Sequence, residues 1–139
     1  MTTIVCNREG MCADKRVTGS TMFKTTKIQR VNGSLIGYCG NIEHCLKFVE
    51  WRRNPDSKPE FSERTWEALE LTSDGRMLWW SIDLMPIEIE DDYYAIGSGA
   101  DFALGAMAMG AKPQQAIKVA ATYDPGTGPD VQTMKLSKK

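Results

Sequence analysis

Histidine is almost missing from this chain: in 139 residues, His44 stands alone. A surplus of either charge is missing too, since 17 Lys and Arg face 18 Asp and Glu, for a net charge of -1. No long basic run offers the phosphate-neutralising patch that nucleic acids require, so no nucleic-acid partner is expected. The closing "KLSKK" reads as a solvated tail. No stretch reaches the apolar length of a membrane span, and the N-terminus lacks a basic segment followed by an apolar one. No membrane association is expected, and the cytoplasm is the expected location. The four cysteines, Cys6, Cys12, Cys39 and Cys45, form no CxxC pair and have no secretory context, which argues for free thiols. His44 and Cys45 are adjacent rather than spaced like metal ligands, so no zinc site is expected.

What is present is an ordinary globular composition. Apolar residues make up 42% and charged residues 25%, which argues against disorder of the whole chain. The length suits one domain, 1–139, with a real core, and no repeat or linker interrupts it. "TTIVCN" and "MCADKRVT" flank the turn "REG" and read as a hairpin. "MFKTTKIQRV" and "SLIGYCG" flank "NG", a strong hairpin signal, and these four strands are expected to form a first sheet. Asn41 can cap a helix whose apolar stripe is Ile42, Cys45, Leu46 and Val49, stopped by Pro55 and the polar "NPDSKPE".

Further on, "WEALELT" and "MLWWSID" flank "SDGR" as another hairpin, and "YYAIGSGA" reads as a short strand ending in a glycine turn. "DFALGAMAMGA" and "KPQQAIKVAATY" read as helices, the second with Pro113 in its first turn and Ile117, Ala120 and Ala121 on one face. "DPGTGPD" breaks that helix and "VQTMKL" reads as a last strand. The order favours an α+β class, antiparallel sheets with helices packed on them, over alternating βαβ units.

Several of these pieces come in a specific order. "TTIV", "ADKRVT", "TKIQRV", "IGYCGN" and "AIGSGADFALGAMAMGA" together resemble the proteasome β-type subunits, most of all the HslV-type bacterial peptidase and the short HslV-like proteins of phages and prophages. The resemblance implies the N-terminal-nucleophile hydrolase fold, a four-layer αββα sandwich of two antiparallel sheets. Here the helix layer is reduced, because "NPDSKPEFSERT" stands where the family has a second long helix. The resemblance further implies a threonine-type endopeptidase that cleaves peptide or unfolded-protein substrates as a homo-oligomeric ring, and in general an HslU-like AAA+ unfoldase partner.

By the same resemblance Thr2 matches the family's nucleophile, exposed when Met1 is removed; Thr2 is small enough to allow that removal. A threonine hydroxyl is a weak nucleophile and needs a base. The α-amine of the same residue, with an ordinary pKa of about 8, can be that base, so this chemistry requires no histidine, no metal and no cofactor. Asp14 and Lys27 match the family's aspartate and lysine on the next strands. Lys24 competes for that register, but Lys27 is the one followed by Ile28, as the pattern requires. Gly40 matches the glycine whose N–H lines the oxyanion hole. Ser98 in "GSG" matches a serine near the nucleophile, and Asp124 with Thr127 in "DPGTG" stand where the family has an aspartate and a serine that orient the N-terminus. Thr18 matches the residue whose backbone pairs with extended substrate, and Val17 and Tyr38 are expected pocket walls.

Each piece has a blander reading. Thr-Thr suits any strand, Asp14 and Lys27 suit a cross-strand ion pair, and "GSG" suits a plain turn. Trp79, Trp80 and the Met-rich stretch suit a core or an interface. Two other functions stay open on the same fold: a non-catalytic ring or assembly protein that keeps Met1, and an amidase acting on small amides.

Overall fold

The computed structural model describes residues 2–56 and 58–136. In chain order the first elements are β1 (Thr3–Asn7), β2 (Gly10–Asp14), β3 (Arg16–Thr18), β4 (Met22–Lys24), β5 (Ile28–Val31), β6 (Ser34–Gly40) and α1 (Ile42–Arg53). They are followed by β7 (Trp66–Leu71), β8 (Met77–Trp80), β9 (Ile87–Ile89), β10 (Tyr93–Gly97), α2 (Ala100–Ala108), α3 (Pro113–Tyr123) and β11 (Val131–Lys135). One sheet has the order β10-β1-β2-β11 and another the order β5-β6-β7-β8-β9, with every pairing antiparallel. Among the described residues β3 and β4 pair only with each other.

Local chemistry explains the turns. Asn7 Oδ1 accepts from the N–H groups of Glu9 (2.9 Å) and Gly10 (3.0 Å), an Asx turn that reverses the chain between β1 and β2. Asn32 and Gly33 have φ of 50° and 86°, the left-handed pair that a two-residue hairpin turn demands. Asn41 caps α1 by accepting from His44 N–H at 3.1 Å. Gln115 reaches back to the Lys112 N–H at 2.9 Å to close the first turn of α3.

Side-chain alternation sets the layers. Ile4, Cys6, Met11 and Ala13 point inward and share a core with Ile28, Leu35, Leu69 and Met77 of the facing sheet. Val5 and Cys12 point the other way, onto Ala103, Ile117 and Ala120 of α2 and α3. Ile36, Tyr38 and Ala68 point outward onto Cys45, Phe48 and Val49 of α1. The result is the expected αββα sandwich of antiparallel sheets, and its central strands are buried on both faces. Among the described residues, helix α1 is the one helix on its side. Among the described residues of the 54–65 segment there is no helix, so the helix layer is reduced as expected. No helix among the described residues is long and apolar enough to cross a membrane.

Three local expectations need correction. The first four strands do not share a sheet: β1 and β2 lie in one and β5 and β6 in the other. β1 and β6 are buried along both faces, and stacking the two hairpins covers their inner faces against each other. The returning strand does not run unbroken through Thr18. Asp14 Oδ2 accepts from the Arg16 N–H at 3.2 Å while the Lys15 N–H donates to Asp130 O at 3.1 Å, so the chain leaves the ladder at Lys15 and restarts as the β3–β4 hairpin. The buried stripe of α1 is Cys45, Phe48 and Val49, and Leu46 is exposed. Phe48 turns the helix inward because it fits between Trp66 (4.7 Å) and Trp80 (5.2 Å).

Candidate active site

β1 begins in the middle of its sheet, flanked by β2 and β10. That position holds the chain's first described residues under the facing sheet instead of leaving them frayed. Thr2 is buried, and its Oγ1 accepts from Lys27 Nζ at 2.9 Å. Lys27 Nζ also donates to Asp14 Oδ1 at 3.1 Å and to Arg16 O at 2.5 Å. All three ammonium N–H groups are therefore used. Burial pushes the Lys27 pKa below its ordinary value; Asp14 beside it works in the opposite direction and only partly offsets this.

Asp14 is fully enclosed and accepts from the N–H groups of Thr3 (2.9 Å), Arg16 (3.2 Å) and Gly128 (3.0 Å) as well as from Lys27. A carboxylate with that many donors is well satisfied without water.

A second cluster sits on the other side of Thr2. Ser98 Oγ accepts from Thr2 N at 3.2 Å and donates to Asp124 Oδ2 at 2.6 Å. Asp124 also accepts from Thr127 Oγ1 at 2.6 Å and from the Gly126 N–H at 3.1 Å. Burial works against ionisation of Asp124, but the hydrogen bonds from Ser98, Thr127 and Gly126 outweigh it and hold its carboxyl below the usual range. Thr2 Oγ1 and Thr2 N thus lie between a Lys–Asp pair and a Ser–Asp–Thr cluster.

Thr2 and Lys27 open onto a cavity of about 310 Å³. Its walls come from β3 (Val17, Thr18), from β6 (Tyr38, Gly40) and from residues 41–43 at the start of α1. Gly40 has φ of 107°, and a Cβ there would collide with Thr65 O, so only glycine fits. Tyr38 is buried; its hydroxyl accepts from Gln29 Nε2 at 3.1 Å and donates to Thr26 O at 3.4 Å.

The structure therefore joins Thr2, Asp14, Lys27, Ser98 and Asp124 by hydrogen bonds and places Val17, Thr18, Tyr38 and Gly40 around the adjoining cavity. The competing Lys24 lies outside, exposed and paired with Asp130 at 3.0 Å. His44 is not in this cluster; its Nδ1 meets Thr65 Oγ1. The four cysteines are free and buried. No cluster of three metal-binding side chains occurs among the described residues. The expectation concerning Met1 lies outside the described residues.

Several contributors escaped the sequence reading. Thr3 is fully buried, with its hydroxyl 2.7 Å from Thr127 Oγ1. Gly97 has φ of 102°, and a Cβ there would strike Thr2 O. A Cβ on Gly99 would strike Thr3 Oγ1, so both glycines of "GSG" are set by the close approach of the N-terminal strand. The doubled threonine and the paired glycines were the available signals. Gly128 and Gln132 carried none.

No family model and no curated protein matches the chain. Solved structures do match. Thiobacillus denitrificans BPH is 19% identical over 99% of this chain and 99% of its own, with a TM-score of 0.73. The same protein in complex with epoxomicin is 18% identical over 98% of each chain, with a TM-score of 0.70. Eukaryotic HslV from Trypanosoma brucei is 19% identical over 96% of this chain and 98% of its own, with a TM-score of 0.74. Along nearly its whole length, then, the chain shares the fold of BPH and HslV.

Proposed function

We propose that the chain is a threonine-type peptidase in which Thr2, freed by removal of Met1, is the nucleophile. The observation that carries this reading is the 2.9 Å contact of Thr2 Oγ1 with the buried Lys27 ammonium at the wall of a cavity. Thr2 Oγ1 attacks the peptide carbonyl carbon and its proton passes to the Thr2 α-amine. The C–N bond then breaks, and the leaving amine takes that proton. Water adds to the resulting ester, the α-amine again serving as base, and the acid product leaves with the hydroxyl restored.

Lys27 stabilises the developing alkoxide, and Asp14 holds Lys27 in place. Ser98 and Asp124 orient the α-amine. The Gly40 N–H is assigned to the oxyanion that forms on the carbonyl. The free edge of β3 at Thr18 takes extended substrate as an added strand, with Val17 and Tyr38 walling the side-chain pocket. The homo-oligomeric ring, the AAA+ unfoldase partner, the cytoplasmic location, the single domain 1–139 and the kinship with phage and prophage proteins belong to this reading and rest on the sequence motifs. The T. denitrificans protein forms a complex with epoxomicin, which makes that compound a second probe here.

The test is mass spectrometry of protein with an intact N-terminus of known mass, exposed to a threonine-directed β-lactone or to epoxomicin. The expected result is a chain lighter by Met1, one adduct at Thr2, and loss of adduct and peptide hydrolysis in Thr2→Ala. Retained Met1 in a host with normal methionine removal would favour the non-catalytic assembly protein. Hydrolysis unchanged by Thr2→Ala would overturn the assignment. Native mass spectrometry of the same sample reports the ring.

A further inference from the structure

An edge strand leaves one row of backbone N–H and C=O groups without a partner strand. β5 is an edge of its sheet, and β11 is an edge of the sheet stacked on it. Lys27 stands just before β5, outside the regular ladder, and its carbonyl accepts from the Tyr38 N–H at 3.1 Å. Its own N–H points to a side chain: Gln132 Oε1, on β11, accepts from Lys27 N at 3.0 Å and from Ile28 N at 3.2 Å. Gln132 Nε2 completes the arrangement by donating to Ile28 O at 3.1 Å. One carboxamide thus supplies the donor and acceptor that a neighbouring strand would give.

The place of Gln132 in the other sheet matters as much. Gln132 pairs with Ala13 and its neighbour Val131 pairs with Asp14, so it rides on the strand pair that presents Asp14. Its amide therefore ties the carrier of Asp14 to the carrier of Lys27, two residues that no backbone ladder connects. A second tie joins the same edges farther along: Arg30 donates to Lys135 O at 2.8 Å and to Leu136 O at 3.0 Å, well away from Lys27.

We propose that Gln132 is a positioning residue for Lys27, its side-chain amide acting as a surrogate strand that sets the Lys27 ammonium between Asp14 and Thr2. The functional half of this inference rests on Thr2 being the nucleophile; the structural half does not. Without the amide, Lys27 N and Ile28 N lose their acceptor, the backbone of residues 25–27 keeps its hydrogen bonds to Lys15 and Tyr38 alone among the described residues, and the contacts of Nζ have to hold the segment in a site where small displacements are costly.

The experiment compares Gln132→Leu, which keeps bulk but no hydrogen bond, with Gln132→Glu, which keeps the acceptor, and with Arg30→Met, which cuts only the distant tie. In Gln132→Leu the maximal rate of β-lactone acylation at Thr2 should fall about 10–100-fold, with the reversible binding constant unchanged. Gln132→Glu should recover much of that rate, and Arg30→Met should acylate like the parent at similar thermal stability.

Two further readouts do not depend on catalysis. Hydrogen exchange should lose protection at the Lys27 and Ile28 amides, and the Lys27 side-chain titration followed by NMR should rise toward its ordinary value, in Gln132→Leu but not in Arg30→Met. If Gln132→Leu does not fold, Gln132→Asn, whose shorter amide cannot span to β5, takes its place. Equal losses in the Gln132 and Arg30 variants, or a parent-like rate and titration in Gln132→Leu, would overturn the proposal. If the parent forms no adduct, the peptidase reading fails while exchange and titration still decide whether Gln132 places Lys27.

Discussion

At the level of single residues the site is an arrangement of charges kept where burial disfavours them. Lys27 loses more from burial than it regains from Asp14, which leaves its proton easier to lose than on an exposed lysine. Asp124 shows the opposite balance, because three donors converge on it and favour the carboxylate. Its folded pKa lies below the ordinary 3.8, so the unfolded chain binds a proton at a higher pH than the folded one does. The stabilisation from Asp124 is therefore complete above 3.8 and is lost as pH falls through the folded value. Urea denaturation from pH 7 down to pH 2.5 should show Asp124→Asn well below the parent in stability at neutral pH and converging on it in acid. A gap that stays constant with pH would contradict the linkage. Ser98 and Asp124 were named through the family resemblance of "GSG" and "DPGTG", and the structure hydrogen-bonds one to the other. Thr3 was not named, since a buried threonine in a strand carries no local mark of the hydroxyl it meets.

Helix α1 shows what an element adds that its sequence hides. As the sole helix on its face among the described residues, it is held by more than apolar contact. Glu70 of β7 is almost wholly buried, and Arg52 meets it with two bonds, Nε to Oε1 at 2.9 Å and Nη2 to Oε2 at 3.0 Å. Trp80 Nε1 donates to the same Oε1 at 3.1 Å, and the Arg52 guanidinium lies 4.9 Å from the Trp80 ring centre. Removing only the cation strands a buried carboxylate. Arg52→Met is therefore expected to cost about 3–5 kcal/mol in urea denaturation. Arg52→Met with Glu70→Gln is expected to cost less than Arg52→Met alone, because the neutral amide still accepts from Trp80. Additive losses would show that the pair is not coupled. The helix itself was legible from Asn41 and its apolar spacing. Its rotation was not, because that depends on Trp66 and Trp80, which lie more than a dozen residues away and become neighbours only once the sheet forms.

Across the whole molecule, hairpin signals identified strand pairs, yet they could not say which pairs share a sheet. Turn chemistry is local, whereas stacking follows from both faces of β1 and β6 being apolar and needing cover. The four cysteines report on that stacking. Cys6 and Cys39 face the inter-sheet core, Cys12 faces the α2–α3 layer and Cys45 the α1 layer, so each internal layer of the sandwich holds a thiol. Burial pushes the thiols of Cys6 and Cys45 up to about 12, and those of Cys12 and Cys39 are raised by the same cause. Thiolate is the reactive form, so none of the four should alkylate in the folded protein at neutral pH. Cys39 is the informative case, because it also touches the cavity beside Gly40. If the sandwich opens as one unit, pulsed iodoacetamide labelling read by mass spectrometry should give all four cysteines the same protection. It should then vanish for all four at one urea concentration. Early labelling of Cys39 alone would instead locate a separate opening of the β6 end and the Gly40 turn, independent of the core that holds Cys6.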